Sequence, residues 1–456
     1  MRATILIIEL IIGLSAVNCF DYFITRNVDK IMEGPKEFRF ISFNVPNMAV
    51  VEDPGWHSID PWEQEDVLKT INQIGGRVIR IFTFSIKKYN DKPETKRHVY
   101  GINKYDEDLF RNFDKMLELC NKFGVRVIVP FINRFNGDFG GIDDFKAFRN
   151  KIHFYQDAQV RQDFKDMITH ILNRTNVYTG VKYMDDKAIL AWETGNEMNP
   201  PFHDWTKEIA AHIKSIDKNH LVMDGNYGID SSSLSDPNID IVSNHYYPGS
   251  SKTFAERCKA DRKLSQGKKA FFAGEFGLAP IKMFFDLLDE VISDGTIGAL
   301  IWSLRPHNKD GGFYEHREGT TNFHSYHWPG FYENNGYDEI NVVNLVRDRA
   351  YKIQGKPIPP IPIPEAPYIL HTESVHSINW RGSVGARVYD IERTTNPDGE
   401  WILIKNNITD IKQIEKEGPL LNDTSVQPGT SYYYRAKAKN IAGASDWSNV
   451  IGPIKA

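Results

Sequence analysis

Eight short apolar segments recur between residues 38 and 303, and their spacing limits the folds open to the chain. Helix-type patterns lie between most of them. Apolar residues from Leu109 to Leu117, for example, repeat at three- and four-residue intervals, and Gly124 follows as a stop signal. Strands that alternate with helices indicate a parallel sheet. The segments are Phe38–Phe43, Arg77–Phe84, Val125–Phe131, Ile189–Trp192, Leu221–Asp224, Ile239–Asn244, Ala270–Ala273 and Ala299–Ser303.

Eight such strand and helix units predict an α/β protein built on a (β/α)8 TIM barrel, a fold that needs about 250 residues plus insertions. We assign residues 20–355 to this barrel. In such barrels the loops that follow the strands form the active site. Functional side chains are therefore expected where the strands end.

The barrel pattern stops near Ile353, and the Pro-rich residues 356–364 follow. Proline at this density favours an extended, semi-rigid linker. Residues 365–456 differ in character, because short alternating strands are separated by turn sequences such as Asn396–Gly399 and Pro428–Thr430. This pattern predicts a small all-β, immunoglobulin-like sandwich.

The C-terminal segment resembles a fibronectin type III domain. Trp380 corresponds to the core tryptophan, Tyr432 to the tyrosine corner, and Asp446–Ser448 lies near the last strand. The resemblance implies a fold and a spacer or adhesion role, with an unknown partner.

The first residues have the pattern of a secretory signal. Met1 and a basic residue precede the apolar run Ala3–Val17, and the small residue Cys19 marks a cleavage site, so that residues 1–19 would be removed. The run is shorter than the roughly 18–20 residues that span a bilayer, and it contains Glu9, which argues against a membrane anchor. We therefore expect a secreted, extracellular glycoprotein with usable sequons at Asn173, Asn407 and Asn422.

The composition is that of a soluble globular protein, with 41% hydrophobic and 25% charged residues. The net charge of -5 gives no basic footprint for nucleic acid, and a neutral polymer is a better partner. Cys120 and Cys258 fall on the apolar stripes of predicted helices, which favours buried free thiols over a disulfide or a metal site. We expect a monomer.

Two glutamates at the ends of predicted strands give the strongest chemical signal. Glu197 follows the fourth segment directly after Asn196, and Glu275 follows the seventh segment in Gly274–Gly277. A retaining glycosidase needs one protonated carboxyl group as acid and one ionised carboxylate as nucleophile, roughly 5–5.5 Å apart. Two strand-end glutamates of one barrel can lie this close despite their separation in sequence.

Residues 36–330 resemble the family 5 glycoside hydrolases of clan A, and within them the endo-β-1,4-mannanases. The densest matches are Thr179–Glu197 and Ile213–Val222. The resemblance implies that Glu197 is the acid/base and Glu275 the nucleophile of a double displacement. This reaction requires no cofactor and no metal.

Five further residues match positions in the family's motifs. Arg80 corresponds to the arginine that keeps the nucleophile ionised, and Asn196 to the amide that hydrogen-bonds the sugar 2-hydroxyl. His245 corresponds to a histidine that lines the site, and Tyr247 to the hydroxyl that orients the nucleophile. Trp302 corresponds to the apolar floor under the reacting sugar.

Two departures from the mannanase pattern leave the identity of the sugar open. Met198-Asn-Pro follows the acid/base, where mannanases commonly have Pro-Arg. The segment Arg305–Gly330, after the eighth strand, is long and rich in His and aromatic residues. It would either wall off one end of the cleft and favour chain-end cleavage, or add stacking subsites through groups such as Tyr326 and Trp328.

The same segment raises the question of a metal. His316, His324 and His327, with Glu315 and Glu318 nearby, are residue types that bind zinc. We predict no metal, because the chemistry requires none and the aromatic neighbours favour packing or sugar contacts.

Taken together, the sequence predicts a retaining endo-β-1,4-mannosidase acting on β-mannan or a related polysaccharide. Another family 5 activity, a β-glucanase or an exo-β-mannosidase, is the alternative within this class. An alternative of a different class is a non-catalytic secreted carbohydrate-binding or adhesion protein. The presence of both glutamates with their supporting residues argues against it.

Overall fold

The computed structural model describes residues 20–53, 55–318, 325–331 and 338–456. The predicted signal, residues 1–19, and His324 lie outside the described residues. Eight parallel strands form a closed barrel. They are β1 Phe40–Asn44, β2 Val78–Arg80, β3 Arg126–Pro130, β4 Ile189–Glu193, β5 Leu221–Met223, β6 Ile241–Tyr246, β7 Ala270–Phe276 and β8 Gly298–Ile301.

The predicted (β/α)8 barrel is confirmed, since β1 pairs in parallel with both β8 and β2 and so closes the ring. Every position of β4 and β7 is buried, as expected for strands covered on both faces. All eight predicted segments overlap a barrel strand. The seventh extends to Phe276, beyond its predicted end at Ala273, so Glu275 lies within β7 rather than after it.

Helices follow most of the strands, and capping residues determine where the helices begin and end. In α2 the Asp106 side chain accepts a hydrogen bond from the Leu109 amide, and Gly124, with φ of 67°, ends the helix. The α-helices are α1 Pro61–Ile74, α2 Glu107–Phe123, α3 Ile142–Ala147, α4 Ala158–Asn173, α5 His203–Ile216, α6 Ser231–Ser235, α7 Phe254–Ser265, α8 Ile281–Asp294, α9 Glu339–Ile353 and α10 Ile414–Glu417, with short 3-10 helices at Pro46–Met48 and Tyr183–Asp185.

A small antiparallel sheet covers the barrel at the end where its strands begin. Ile24 and Ile31 of this sheet are buried in the same apolar cluster as Ile128 and Leu190 of the barrel. Sequence reasoning missed it, because each strand is too short to show an alternating pattern. Its strands are Ile24–Asn27, Lys30–Glu33 and Lys36–Glu37; further two-stranded sheets are Val50–Val51 with His57–Ser58, and Val99–Gly101 with Lys104–Tyr105.

The C-terminal unit, residues 365–456, has its own sheets and apolar cluster. Trp380 lies in this cluster with its ring 5.3 Å from that of Tyr389. One sheet has the order β12-β11-β13-β14 with β15 also on β13, and β9 pairs with β10. The strands are β9 Tyr368–Ile369, β10 Trp380–Arg381, β11 Val388–Thr394, β12 Ile402–Ile408, β13 Ser431–Asn440, β14 Gly443–Ala444 and β15 Ile451–Lys455.

The Pro-rich segment has no helix or strand, and it contacts the rest of the protein at several points. The Pro359 carbonyl accepts a hydrogen bond from Arg347 of α9, and the Pro362 carbonyl accepts one from Asn440 of β13. Glu365 pairs with Lys69 of α1 at 2.8 Å. The segment therefore straps the C-terminal unit to the barrel and does not act as a free spacer.

Within the residues that the structure describes, Cys120 and Cys258 are both buried and form no disulfide. Burial raises the pKa of both thiols. These features agree with the predicted free thiols. None of the described helices combines the length and apolar character that a membrane crossing requires.

Candidate active site

A cleft of about 360 Å³ opens at the ends of the barrel strands. Its walls combine flat apolar rings with carboxylates, a mixture suited to a ligand that has both C–H faces and hydroxyl groups. The rings are Phe82, Phe135, Phe139 and Trp302, and the carboxylates are Glu52, Glu197, Glu275 and Glu318. The predicted site residues lie in or directly beneath this cleft.

The loop after β4 fixes Glu197 through backbone contacts on both sides. The Asn196 amide donates to the Ile132 carbonyl at 2.7 Å, and the Met198 amide donates to the Gly225 carbonyl at 2.9 Å. Glu197 itself has φ of 54°, in the left-handed region. Such a conformation costs a glutamate about 1 kcal/mol and persists only where its surroundings enforce it.

Glu275 is held by two donors from other parts of the barrel. Arg80 of β2 donates through Nη1 to Oε1 at 2.7 Å, and the Tyr247 hydroxyl donates to Oε2 at 2.7 Å. Glu275 is almost fully buried. A permanent positive charge and a hydroxyl donor at this depth hold the carboxylate in a fixed orientation.

Arg80 is the centre of a buried network that reaches beyond Glu275. Its guanidinium donates to both oxygens of Glu193, at 2.7 and 3.0 Å, and to the Oδ1 atoms of Asn196 and Asn44, at 2.7 and 3.2 Å. Burial would lower the pKa of Arg80, but the two carboxylates outweigh it and raise the pKa. The arginine is thus charged and immobile.

Glu193 and Asn44 were not among the predicted site residues. Glu193 closes β4 and is fully buried. A buried carboxylate needs a partner, but the sequence shows only that Glu193 ends an apolar strand and not that Arg80 is its partner. Burial raises the pKa of Glu193 despite Arg80. Asn44 donates to the Gly274 carbonyl at 3.0 Å and so ties β1 to the strand that carries Glu275.

His245 lies between the two predicted catalytic carboxylates. Its Nδ1 is 2.6 Å from Glu197 Oε1 and 3.4 Å from Glu275 Oε2. Burial would lower the pKa of His245, but the charges of Glu275 and Glu197 raise it above the ordinary value. One oxygen of Glu197 and one of Glu275 lie within 4.8 Å of each other.

The contact with His245 also affects the pKa of Glu197. Burial would raise the pKa of its carboxyl group, as an acid requires, but the hydrogen bond and charge of His245 outweigh it and lower the pKa. The two shifts have opposite signs, so we expect a proton shared by this pair to favour the imidazole. An acid role for Glu197 would then draw on a proton of the pair rather than of Glu197 alone.

The pair predicts a pH dependence. Since the pKa of His245 is raised, the shared proton is present below that pKa and is lost as the pH rises through it. In His245→Asn only Glu197 can hold the proton, and a carboxyl group ionises at lower pH. The alkaline limb of kcat/KM is therefore expected to move by about one pH unit or more toward acid.

A pH series of kcat/KM on wild-type and variant protein measures this shift. His203→Asn is a matched control, because His203 pairs with Asp230 outside the cleft. Its alkaline limb should coincide with that of the wild type. An unmoved limb in His245→Asn would show that the proton is not shared.

Trp302 follows β8 and forms part of the cleft wall. Its Nε1 donates to Glu318 Oε1 at 2.7 Å, and its ring meets that of Phe82 edge-on at 5.7 Å. His316 contacts the same oxygen of Glu318, with Nε2 at 3.1 Å from Oε1, and its Nδ1 pairs with Asp53. Burial would lower the pKa of His316, but Asp53 and Glu318 raise it to about 9.

The other residues considered in this loop pack rather than line the cleft. Tyr326 and Trp328 are 1% and 2% exposed, and the Trp328 indole donates to Gln73 of α1. They are therefore packing groups and not sugar-stacking surfaces. Both ring nitrogens of His327 contact protein atoms, Nδ1 at Glu339 and Nε2 at the Tyr314 carbonyl.

Residues 129–270 match the family model described as GH family 5 beta-mannosidase-like. Over 226 residues the chain is 32% identical to mannan endo-1,4-beta-mannosidase 7 of Arabidopsis thaliana, covering 44% of this chain and 50% of that protein. Over 241 residues it is 30% identical to the putative mannan endo-1,4-beta-mannosidase 5 of Oryza sativa subsp. japonica, covering 48% and 46%. The chain thus spans about half the length of these relatives.

Solved structures show the same fold. The endo-1,4-beta-mannanase of Rhizomucor miehei superposes with a TM-score of 0.58 at 21% identity, covering 73% of this chain and all of that chain. A family 5 mannosidase of the same organism has a TM-score of 0.60 at 17% identity, covering 75% and 99%. The barrel is therefore that of the mannanase and mannosidase structures, and its central part is similar in sequence to family 5 β-mannosidase-like glycoside hydrolases.

Proposed function

We propose that the protein is a family 5 glycoside hydrolase, a retaining endo-β-1,4-mannosidase. The observation that carries the proposal is the carboxylate pair. Glu197 and Glu275 have oxygens within 4.8 Å of each other, at the ends of β4 and β7. This spacing suits direct attack by one carboxylate, whereas an inverting enzyme needs a wider gap for a water molecule.

The reaction follows from the contacts of each carboxylate. Glu275, oriented by Arg80 and Tyr247, attacks the anomeric carbon, while the proton shared by Glu197 and His245 passes to the leaving oxygen. Glu197 then takes a proton from the water that hydrolyses the glycosyl-enzyme. The configuration at the anomeric carbon is retained overall.

Two further predicted residues fit roles toward the substrate. Asn196 uses Oδ1 for Arg80 and one Nδ2 hydrogen for Asn133, which leaves its second Nδ2 hydrogen for the sugar 2-hydroxyl. Trp302 offers a flat ring to the C–H face of the sugar, and Glu318 fixes the plane of that ring. The cleft is lined by both residues.

The substrate is proposed to be a β-mannan or related polysaccharide, as the names of the plant relatives suggest. The test is release of reducing ends from mannan, glucomannan and cellulose by the purified protein, with product lengths read by chromatography. We expect oligosaccharides of several lengths from mannan and little or no release from cellulose. Hydrolysis of β-glucan without mannan would contradict the substrate while keeping the mechanism.

Exo-acting mannosidase activity is the second candidate. It is favoured by the segment that follows β8, residues 302–318, here called the strand-eight loop. His316 and Glu318 of this loop line the same cleft as the two carboxylates. A wall at this place would admit only a chain end. Mannose as the sole early product from mannohexaose would identify the exo mode.

We also propose that the protein is secreted and glycosylated, and that its C-terminal unit is a fibronectin type III domain. Asn173, Asn407 and Asn422 of the sequons are all exposed. The Tyr432 hydroxyl accepts a hydrogen bond from the Gln427 amide at 2.9 Å, which has the geometry of a tyrosine corner. Trp380 is buried in the core of this unit.

A further inference from the structure

The strand-eight loop joins the cleft to the C-terminal unit. One end of the loop carries Trp302, and the other carries His316 and Glu318, which line the cleft. The residues between them run outward to the C-terminal unit. The middle of this loop therefore rests on residues 365–456.

Backbone contacts hold the middle of this loop to the C-terminal unit. The Phe313 amide donates to the Lys412 carbonyl at 2.9 Å, and Gly312 forms an antiparallel bridge with Gln413. Gly312 has φ of 74°, and a Cβ added there would lie 2.1 Å from the Lys412 carbonyl oxygen. The two chains therefore approach as closely as a glycine allows.

Three side-chain contacts flank this bridge. Gln413, which is 4% exposed, donates through Nε2 to the Glu315 carbonyl at 2.7 Å, one residue before His316. Asn308 donates to Glu415 at 2.7 Å. Arg381 of β10 donates to the Lys309 carbonyl at 3.0 Å.

A buried ionic triad joins the loop, the barrel and the C-terminal unit. His307 Nδ1 lies 2.8 Å from Asp66 of α1, and Nε2 lies 3.4 Å from Asp410. All three side chains are almost fully buried. Burial would lower the pKa of His307, but the two carboxylates raise it to about 10, so the imidazole is charged at neutral pH. Gly382 packs against it, since a Cβ there would be 2.3 Å from the His307 ring.

We propose that the C-terminal unit is a positioning element of the cleft: Gln413 and its neighbours hold the strand-eight loop so that His316 and Glu318 fix Trp302 against the substrate. The proposal rests on the proposed function for its kinetic consequence alone. The chain of contacts is continuous, from Gln413 to the Glu315 carbonyl, through His316 to Glu318, and from Glu318 to the Trp302 indole. Gln413 is a positioning residue, because it acts on substrate through Glu315 and the loop.

Gln413→Ala in the full chain tests the proposal. Loss of one hydrogen bond to a buried carbonyl should loosen the loop and raise KM for mannohexaose about fivefold, with kcat within about twofold of the wild type. A contact that merely stabilised the fold would lower the melting temperature and leave KM unchanged. Asn308→Ala is a milder second variant should Gln413→Ala fail to fold.

Glu365→Gln is the matched control. It breaks the pair with Lys69, which also links the C-terminal segment to the barrel but does not touch the loop. Its KM should equal that of the wild type. An unchanged KM in Gln413→Ala, or an equal rise in the control, would overturn the proposal.

Hydrogen exchange of the Phe313 amide tests, without any substrate, whether Gln413 holds the loop to the C-terminal unit. We expect exchange at least about fivefold faster in Gln413→Ala than in the wild type or Glu365→Gln. Unchanged exchange would overturn the proposal that Gln413 holds the loop. If the wild-type protein hydrolysed no mannan, the proposed function would fail while this measurement would still decide the positioning role.

Discussion

Glu275→Ala is expected to reduce the turnover of mannan by about 10⁵-fold or more, because no other group can supply the attacking carboxylate. The variant should fold, since it removes one of two carboxylates on Arg80 and leaves Glu193 in place to balance the guanidinium. Circular dichroism and a thermal melt check the fold. The turnover number on mannan or a mannooligosaccharide measures the effect.

Azide distinguishes loss of a nucleophile from general damage. In Glu275→Ala the small anion can enter the space left by the carboxylate and attack the anomeric carbon. We expect rescued turnover with an activated mannoside and a glycosyl azide of inverted configuration. In Glu197→Ala azide should instead act in the second step and give a product of retained configuration. Unchanged turnover in Glu275→Ala would show that the proposed pair is wrong.

Arg80→Met is expected to damage both stability and catalysis. It leaves Glu193 without its bidentate partner at a fully buried position, and breaking such a pair costs about 3–5 kcal/mol of unfolding free energy. It also removes the positive charge that orients Glu275, so kcat should fall by about 10³-fold or more. Guanidinium denaturation and steady-state kinetics measure the two effects.

Arg77→Met serves as the control from the same segment of chain. Arg77 pairs with Glu33 at 3.2 Å at the opposite end of the barrel, where both side chains are partly exposed. We expect it to cost about 1 kcal/mol or less and to leave kcat unchanged. A kcat for Arg80→Met within tenfold of the wild type would contradict the role given to Arg80.

Much of the barrel and the carboxylate pair could be predicted from the sequence, since β4 and β7 are buried apolar runs with glutamates at or just after their ends. Glu193 could not be placed, because only the three-dimensional structure shows that Arg80 has two carboxylate partners. The state of Glu197 could not be predicted either. Its pKa depends on His245, which lies on β6, two strands away from β4 in the barrel.

The packing of the C-terminal unit was also beyond sequence reasoning. The Pro-rich composition predicts an extended linker, but it holds no information on what the chain lies against. The close approaches of Gly312 to Lys412 and of Gly382 to His307 exist only when the two parts are assembled. Patterns within one segment do not report contacts between segments.

The small sheet that covers the starting ends of the barrel strands lies on the face opposite the cleft. Arg126, at the start of β3, donates to the Tyr22 carbonyl and to Glu33, so the first described residues are tied to the face opposite the cleft. A support attached through this face would leave the cleft directed outward. Immobilisation at the amino-terminal end should therefore leave a long, insoluble polysaccharide free to approach.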